Sequence, residues 1–300
     1  MLTPVFRDAV AATAARAVRA AIVHLPPRRR GLRIADLIES FVGTPQQRLR
    51  SRHASGYYIR CDLRDVVQRS LFYRGTYEPV TSRLVKDALR RGDTFLDVGA
   101  NAGHYTFLAA RKVGTLGSVH AIEASPSTAA LLADDVCRNG LARIVRVHNV
   151  AAFDRRGWLP LYGSEGPSPI GMRSLYQEAA PRTAATEEVE AMPLDDLLPE
   201  LQPAVIKVDV EGADLRALTG MRRMIERAYP RLIVVEAEDE PLRRFQDSVH
   251  ALKSYMQGLG YYSISVDEPY HPKSLAFVHR GLVHARSAWP TRTGLPRDLA

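Results

Sequence analysis

Residues 94–123, TFLDVGANAGHYTFLAARKVGTLGSVHAIE, contain the pattern that decides the fold. Residues 94–98 form a short, largely apolar run, as expected for a buried parallel strand. A turn of small residues follows, and over residues 104–113 the apolar side chains recur at helical spacing. A second apolar run, residues 118–122, ends at Glu123. The stretch therefore predicts a strand, a glycine turn, a helix and a second strand with an acid at its tip.

The order of residues in the turn indicates what it binds. Small residues let the backbone approach a ligand, and a helix amino terminus favours negative charge. An acid at the tip of the second strand is placed to accept hydrogen bonds from a ribose. A dinucleotide fingerprint is G-x-G-x-x-G, whereas the order here is D-x-G-x-N-x-G. The residues of this pattern are Asp97, Gly99, Asn101 and Gly103. The turn favours a nucleoside cofactor over a nicotinamide or flavin dinucleotide, and a purely structural turn is the alternative.

Composition is that of an ordinary globular protein with an excess of arginine. The chain has 300 residues, of which 46% are hydrophobic and 25% charged, and its net charge is +8. A basic patch can meet nucleic acid, anionic lipid or an acidic glycan, but a solvated basic face is the favoured interpretation. No RNA-binding signature accompanies the charge, which argues against a nucleic-acid partner. Cys61 and Cys137 have neither metal-ligand spacing nor a disulfide framework, so we expect a reducing, cytoplasmic setting.

The alanine-rich segment 5–23 is predicted to be helical. Arginines interrupt it, so it fits neither a membrane-spanning helix nor a signal peptide. Its arginines and apolar positions are compatible with a basic amphipathic helix that makes peripheral membrane contact. Packing against the rest of the chain, or against a second subunit in a homo-oligomer, is the favoured interpretation.

Helical and strand patterns alternate along the rest of the chain. The predicted helices are 1–25, 32–42, 79–91, 125–139, 211–227 and 242–259. The predicted strands that follow the second one are 144–150, 205–210, 232–237, 261–266 and 275–278. We also predict an extended hairpin over 56–67, an aromatic-rich loop over 70–79 and the returning strand of a hairpin over 158–162. This alternation predicts a doubly wound α/β sheet.

The predicted elements divide the chain into three parts. Residues 1–55 form a helical, basic extension, residues 56–284 the main domain, and residues 285–300 a tail. Residues 163–187, rich in Gly, Pro, Ser and Thr, form a long loop of the kind that serves as a lid or recognition element. Ligands of doubly wound sheets bind at the carboxyl ends of the strands. The strand tips that we expect around one crevice are Asp97, Glu123, Val150, Asp209 and Glu236.

The stretch at residues 205–212, VIKVDVEG, which contains the predicted strand 205–210, carries charges where a central strand is normally apolar. Lys207, Asp209 and Glu211 share one face at period two. Buried charges are costly unless they pair or do chemistry. The structural interpretation is a Lys207–Asp209 ion pair, with Glu211 at the positive end of the next helix. The functional interpretation places these side chains at the reacting centre.

Several motifs in a fixed order resemble the FkbM-type methyltransferase family. They are residues 71–78 (LFYRGTYE), 97–103 (DVGANAG), 123–126 (EASP), 194–197 (LDDL), 206–212 (IKVDVEG) and 235–236 (VE). The resemblance covers roughly residues 56–280. It implies a class I methyltransferase fold, a mostly parallel seven-stranded sheet, and O-methylation that depends on S-adenosylmethionine.

The resemblance also implies roles for residues at the strand tips. The residues expected at the methionine part of the cofactor are Asp97, Gly99, Asn101 and Gly103. Glu123 is expected at the ribose, and the residues expected beside the adenine are Asn149, Val150 and Ala151. Tyr77 and Glu78 are expected either to close over the site or to anchor the N-terminal helix.

Methyl transfer to a hydroxyl requires that the oxygen lose a proton. A carboxylate can take this proton, or a divalent metal such as Mg²⁺ can lower the pKa of the hydroxyl. Asp209 is the first candidate for the base or the metal ligand, and Glu236 is the second. Lys207 is expected to tune the carboxylate or to stabilise a developing alkoxide.

The sequence therefore predicts an O-methyltransferase that acts on a sugar, a glycolipid or a polyketide-type secondary metabolite with a free hydroxyl. One alternative is an NAD(P)-dependent oxidoreductase on a similar sheet. Another is a catalytically silent cofactor-binding partner of a second enzyme. A nucleic-acid methyltransferase is disfavoured because the chain lacks an Asn/Asp-Pro-Pro-aromatic tetrad for a flipped base.

Overall fold

The computed structural model describes residues 3–22, 33–162, 175, 186–268 and 274–283. Its helices are α1 (Pro4–Ile22), α2 (Arg33–Val42), α3 (Val66–Arg74), α4 (Pro79–Ala88), α5 (His104–Val113), α6 (Pro126–Arg138), α7 (Leu194–Leu197), α8 (Asp214–Thr219), α9 (Arg222–Ala228), α10 (Asp239–Arg243), α11 (Val249–Gly258) and α12 (Arg280–Val283). Its strands are β1 (Leu49–Arg52), β2 (Tyr58–Cys61), β3 (Thr94–Val98), β4 (Ser118–Glu123), β5 (Val145–Asn149), β6 (Ala151–Ala152), β7 (Gly157–Tyr162), β8 (Thr186–Met192), β9 (Val205–Val208), β10 (Leu232–Glu236), β11 (Tyr261–Val266) and β12 (Ser274–His279).

The central sheet has seven strands in the order β11-β12-β10-β9-β3-β4-β5. The five strands from β10 to β5 run parallel, and β12 pairs antiparallel with both β10 and β11. Helices flank the sheet, so the predicted class I methyltransferase fold with a mostly parallel seven-stranded sheet is confirmed. The order of the strands changes direction at β3, whose two neighbours are β4 and β9. A ligand crevice is therefore expected beside the tip of β3.

Alternate residues of the central strands enter two different hydrophobic cores. Phe95 and Val205 belong to one cluster of buried residues, whereas Leu96 and Ile206 belong to another. This alternation is what helices on both faces of a parallel sheet require. The alternation therefore determines which face of the sheet each side chain within these strands points to.

The N-terminal helices are part of the first core. Ala12, Ile22 and Ala35 lie in the same buried cluster as Phe95. The predicted division after residue 55 falls between β1 and β2, which pair with each other. The structure thus joins the N-terminal segment to the sheet by packing, and the three-part division of the chain stays a proposal.

Three local predictions in the first two hundred residues are wrong. The predicted hairpin at 56–67 is instead β2 paired with the preceding strand β1, and residues 66 and 67 begin a helix. Residues 70–74 of the predicted loop at 70–79 belong to that helix, α3, and residue 79 begins α4. The strand at 158–162 pairs with β8, in a separate three-stranded sheet with β6, and not with the third strand of the central sheet.

Two long predicted helices are each divided into two. The helix predicted from Glu211 begins at Asp214, because the Asp214 carboxylate accepts hydrogen bonds from the N–H groups of Val210 and Gly212 and folds a turn before the helix. A break near Gly220 then separates α8 from α9. The helix predicted over 242–259 is interrupted before Ser248, whose hydroxyl caps α11.

Most of the predicted loop at 163–187 and the whole tail at 285–300 lie outside the described residues. Within the part of the chain that the structure describes, no helix combines the length and the apolar character that crossing a membrane would need.

Candidate functional site

A cavity of about 330 Å³ lies at the carboxyl ends of the central strands. Its lining includes residues at the tips of β3, β4, β9 and β10, residues 65–68 at the start of α3, and Arg48 just before β1. The predicted site residues on its wall are Gly99, Asn101, Glu123, Val150, Ala151, Asp209, Glu211, Glu236 and Tyr77. The structure therefore brings together the tips of four strands, as the fold requires.

The glycine turn after β3 is closely packed against the backbone of Asp209 and the side chain of Leu132. Gly99 has a φ of +83°, and a Cβ at this position would overlap the backbone carbonyl oxygen of Asp209. Gly103, at a φ of +86°, has no space for a Cβ beside the side chain of Leu132. The N–H groups of Gly99 and Ala100 both donate to the carbonyl oxygen of Ile122 at 2.9 Å. The turn is thus held between β4 and β9. Residues 99–102 line the cavity, and Gly103 is not among the lining residues.

Glu123 is fixed to this turn. Its Oε2 accepts a hydrogen bond from the N–H of Asn101 at 2.8 Å, and its Oε1 accepts one from the N–H of Ser125 at 2.9 Å. The first bond joins the tip of β4 to the glycine turn. The carboxylate is therefore oriented at the cavity wall, and a carboxylate has acceptor sites beyond these two bonds.

The segment after β5 supplies an apolar wall. Val150, Ala151 and Ala152 line the cavity next to Ile122. Asn149 is exposed and does not belong to the lining residues. Its side-chain amide donates to the carbonyl oxygens of residues 123 and 124 at 2.9 Å. Asn149 therefore supports the backbone beside Glu123.

Asp97 lies beneath the turn and is not among the residues that line the cavity. It is buried, and its Oδ2 accepts a hydrogen bond from the hydroxyl of Thr106. Burial raises the pKa of Asp97 to about 6. Its register partner on β9 is Lys207.

Lys207 is buried next to the cavity and paired with Asp209. Its Nζ lies 3.2 Å from Asp209 Oδ2 and 5.4 Å from the ring centroid of Tyr105. Burial opposes the positive charge, but nearby carboxylates, that of Asp209 first, outweigh it and raise the pKa of Lys207. The ion pair expected from the spacing of the strand is present.

Glu78 approaches the same ion pair from the segment before α4. It is buried at a φ of +41°, and its Oε2 accepts a hydrogen bond from the hydroxyl of Tyr105 at 2.5 Å. Burial raises the pKa of Glu78, and the positive charge of Lys207 acts in the opposite direction. Its neighbour Tyr77 lines the cavity.

Two further carboxyl groups, those of Glu211 and Glu236, belong to residues on the cavity wall near the charge of Asp209. Burial, followed by the charge of Asp209, raises the pKa of Glu211 to about 8. The same two causes, in the same order, hold the pKa of Glu236 well above its ordinary value. Strands β9 and β10 pair in parallel, which places Asp209 and Glu236 on one cavity wall.

Sequence reasoning missed the wall formed by the β1–α3 segment. Asp65 caps α3 by accepting hydrogen bonds from the N–H of Gln68 at 2.8 Å and from its side-chain amide at 3.0 Å. Arg48 donates to Gln68 Oε1 at 3.2 Å. All three residues line the cavity. The Asp65-x-x-Gln68 spacing resembles a capping box and was a usable signal for this helix.

A chain of hydrogen bonds ties the glycine turn to the N-terminal segment. The Nδ1 atom of His104, the first residue of α5, lies 2.8 Å from Nε2 of His53. The Nε2 atom of His104 lies 2.7 Å from the hydroxyl oxygen of Ser82. Burial lowers the pKa of His53 to about 4 and lowers that of His104 well below its ordinary value. Both imidazoles are therefore neutral near pH 7.

Among the described residues, no group of three or more His, Cys, Asp and Glu side chains has an arrangement that could hold a metal ion. Asp209 and Glu236 share a wall of the cavity with Glu211. The assignment of these two residues as metal ligands stays a prediction.

The chain matches the model of one protein family. The model of the methyltransferase FkbM domain matches residues 97–262, which is more than half of the chain. This match contains the glycine turn, Glu123 and the charged tips of β9 and β10. No curated protein matches the chain.

Solved structures with a similar arrangement are distant in sequence. A methyltransferase FkbM from Methylobacillus flagellatus KT is 20% identical, with a TM-score of 0.45, over 62% of this chain and 43% of that one. The chain thus spans less than half the length of that protein. A SAM-dependent O-methyltransferase from Thermotoga maritima is 11% identical, with a TM-score of 0.40, over 79% of this chain and 94% of that one. TYW2 from M. jannaschii, solved in complex with AdoMet, is 14% identical, with a TM-score of 0.42, over 78% and 85% of the two chains.

Proposed function

Because the chain belongs to the FkbM methyltransferase family, we propose that it is an S-adenosylmethionine-dependent O-methyltransferase that acts on a hydroxyl of a small molecule or glycan. The observation that carries this proposal is the hydrogen bond from the Asn101 N–H to Glu123 Oε2. It joins the glycine turn to the acid at the tip of β4, the two elements that a nucleoside cofactor needs side by side.

The residues of the cavity fit this cofactor. The overlap that a Cβ at Gly99 would cause shows that the turn is built for close backbone packing, which leaves its outer surface to a ligand. Glu123 presents an oriented carboxylate to the ribose hydroxyls. Val150 and Ala151 form an apolar surface of the kind that an adenine ring packs against. The glycine turn, with Gly103 at the start of α5, would hold the methionine part.

When bound, S-adenosylmethionine supplies an electrophilic methyl group and leaves as S-adenosylhomocysteine. Asp209 is the group that we assign to the hydroxyl proton, because its carboxylate lines the cavity at the tip of β9. As the new carbon–oxygen bond forms, the proton passes from the hydroxyl to Asp209. Lys207, 3.2 Å from Asp209 Oδ2, keeps this carboxylate in place, and Glu236 is the second candidate for the proton.

No step of the proposal runs through a metal. Asp209 and Glu236 are the residues that would hold a divalent ion such as Mg²⁺, which proteins often bind through one or two carboxylates, and the ion would lower the pKa of the acceptor hydroxyl there. A methyl transfer that proceeds by general base catalysis needs only the carboxylate.

The acceptor that we propose is a sugar, a glycolipid or a polyketide-type metabolite. The cavity walls formed by Asp65, Gln68 and Glu236 combine charged and amide side chains, which suits an acceptor with several hydroxyl groups. The two N-terminal helices also expose apolar side chains, including Phe6 and Phe41. These support the proposal that α1 and α2 contact a second copy of the chain or a membrane surface.

The two other functions receive less support. The D-x-G-x-N-x-G order of the turn disfavours an NAD(P)-dependent oxidoreductase. A catalytically silent partner protein would not need the Lys207–Asp209 pair beside the cavity, since a buried ion pair is costly to maintain.

The test is a transfer assay with S-adenosylmethionine labelled in its methyl group and a panel of monosaccharides, glycolipids and polyketides. We expect label in an ether that resists mild alkali, and we expect at least a hundredfold lower rate for Asp209→Asn, the usual scale for loss of a general base. Label in an alkali-sensitive ester or in an amine would contradict O-methylation of a hydroxyl. Oxidation of an acceptor with NAD or NADP, without methyl transfer, would favour the oxidoreductase.

A further inference from the structure

The first two helices present large apolar side chains to solvent. Thirteen such side chains are exposed in the part of the chain that the structure describes, and six of them lie on α1 and α2. The six are Val5, Phe6, Val10, Ile34, Leu37 and Phe41. Single exposed apolar residues are normal on a protein surface, whereas a concentration of them marks a contact site.

These side chains are concentrated at one end of the helix pair. On α2, Leu37 and Phe41 are four residues apart and therefore lie on one face of the helix. The Asp8 carboxylate of α1 accepts a hydrogen bond from the N–H of Gln46, just beyond the end of α2. The first turns of α1, which carry Phe6, therefore lie beside the last turn of α2, which carries Phe41.

The positive charge of the protein is concentrated in the same segment. Residues 1–55 contain ten arginines and three acidic residues, so they account for +7 of the net charge of +8. The side chains of Arg7, Arg16 and Arg33 are exposed and form no ion pair among the described residues. We call the exposed side of the two helices, with its six apolar side chains and these three arginines, the α1–α2 face.

An apolar surface with unpaired cations fits an anionic lipid membrane. The apolar side chains of an interfacial helix enter the boundary between headgroups and acyl chains, while its arginines stay at the lipid phosphates. A second copy of the chain fits less well, because a two-fold interface joins a patch to itself and would bring two basic segments together. Nucleic acid would bind the arginines through its phosphates but would leave Phe6 and Phe41 in water.

Helix α3 connects the α1–α2 face to the cavity. Its Arg69 lies 2.7 Å through Nη2 from Asp36 Oδ1 of α2 and 3.1 Å from Glu39 Oε2 of the same helix. On α3 as well, Gln68 and Leu71 line the cavity. A helix is about 10 Å across, so about one helix diameter separates α2 from the cavity wall.

We propose that the α1–α2 face docks on an anionic lipid membrane, so that the cavity works at the membrane surface. Phe6 and Phe41 enter the boundary between headgroups and acyl chains, and Arg7 and Arg33 lie at the lipid phosphates. The docking commits the N-terminal helices to a lipid surface instead of a second copy of the chain, and it does not depend on the reaction proposed above.

The experiment is a flotation assay of the whole protein with two kinds of vesicle. One kind is phosphatidylcholine alone, and the other is phosphatidylcholine mixed with phosphatidylglycerol. We expect at least about tenfold stronger binding to the anionic vesicles, and a loss of this binding as salt is raised. Equal binding to both kinds of vesicle, or binding to neither, would contradict the proposal.

A matched pair of variants tests the apolar side chains. Phe41 and Leu116 have exposed fractions of 81% and 79%, but Leu116 lies outside the α1–α2 face, between α5 and β4. We expect Phe41→Ser to bind anionic vesicles several-fold more weakly and Leu116→Ser to bind like the wild type. A dimer in lipid-free solution that Phe41→Ser dissociates, together with no binding to vesicles, would overturn the proposal in favour of a second copy.

A second pair tests the arginines. The double variant Arg7→Glu, Arg33→Glu should bind anionic vesicles at least about tenfold more weakly, and Arg111→Glu, at an exposed position of α5, should bind like the wild type. An equal loss in both would show a general effect of charge and would contradict docking through the α1–α2 face. The affinity for S-adenosylhomocysteine, measured without lipid, should be the same in all of these proteins. If the wild type binds anionic vesicles but not S-adenosylhomocysteine, the proposed function fails and the docking stands.

Discussion

Gly99 lies against the backbone carbonyl of Asp209, with no space for a side-chain carbon between them. The N–H of Asp209 also donates to the carbonyl oxygen of Val98 at 3.0 Å. The turn that we assign to the cofactor and the residue that we assign to the hydroxyl proton are therefore in direct backbone contact. A change in one should displace the other.

Substitution of Gly99 by alanine tests this contact. The new Cβ would overlap the carbonyl oxygen of Asp209, and the φ of +83° is itself unfavourable for alanine. We expect a loss of at least about 2 kcal/mol in the free energy of unfolding, measured with urea, together with a loss of S-adenosylhomocysteine binding.

Gly157→Ala is the matched control. A Cβ there would meet nothing within 4 Å, and the residue does not have a left-handed φ. We expect its stability and ligand affinity to match those of the wild type. Wild-type ligand affinity in Gly99→Ala would refute the contact between the turn and the cofactor.

Replacement of Lys207 by methionine tests the buried ion pair. The change leaves the carboxyl groups of Asp209 and Glu78 without their shared cation, and removal of one partner of a buried pair typically costs about 3–5 kcal/mol. We expect a loss of this order in the free energy of unfolding. Lys86→Met, at an exposed position, should change it by less than about 0.5 kcal/mol. Similar stabilities of the two variants would show that Lys207 is not a structural counter-ion.

The stability of the protein should respond to pH through Glu211. Burial raises the pKa of this group from 4.5 to about 8, so over this window the folded chain keeps a proton that the unfolded chain has lost. The stabilisation is fully present below pH 4.5 and disappears as the pH rises through 8, with a slope of up to about 1.4 kcal/mol per pH unit. Glu211→Gln cannot ionise and lacks this contribution.

The measurement is the free energy of unfolding of both proteins across this pH range. The wild-type value minus the Glu211→Gln value should decrease as the pH rises. The exposed Glu200→Gln should follow the wild type at every pH. A difference between wild type and Glu211→Gln that does not change with pH would contradict burial of this carboxyl.

The elements that sequence reasoning predicted are those whose signals are local. The turn at Gly99 and Gly103 shows in the sequence because only small residues suit a left-handed backbone that is tightly packed. The charges at Lys207 and Asp209 were conspicuous because a central strand is normally apolar. They form an ion pair because residues two apart on a strand point to the same face of the sheet.

The parts that were missed depend on distant contacts. The helix α3 lies in an aromatic-rich stretch that has no strong helical period, and Phe72 and Tyr73 are buried in it by tertiary packing. The strand β8 lies after a long polar segment, and its partner is β7 rather than a strand of the central sheet. Asp65 and Glu236 line the same cavity, and their separation in sequence hides this.

The most direct measurement is a calorimetric titration with S-adenosylhomocysteine, with NAD and NADP as controls. We expect saturable binding of S-adenosylhomocysteine only. We also expect at least a tenfold loss of affinity in Glu123→Ala, because the ribose loses a charged acceptor worth about 1.5–3 kcal/mol. Binding of NAD or NADP without S-adenosylhomocysteine would contradict the account and favour an oxidoreductase. Absence of binding by all three ligands would contradict it as well and favour a protein that is catalytically silent.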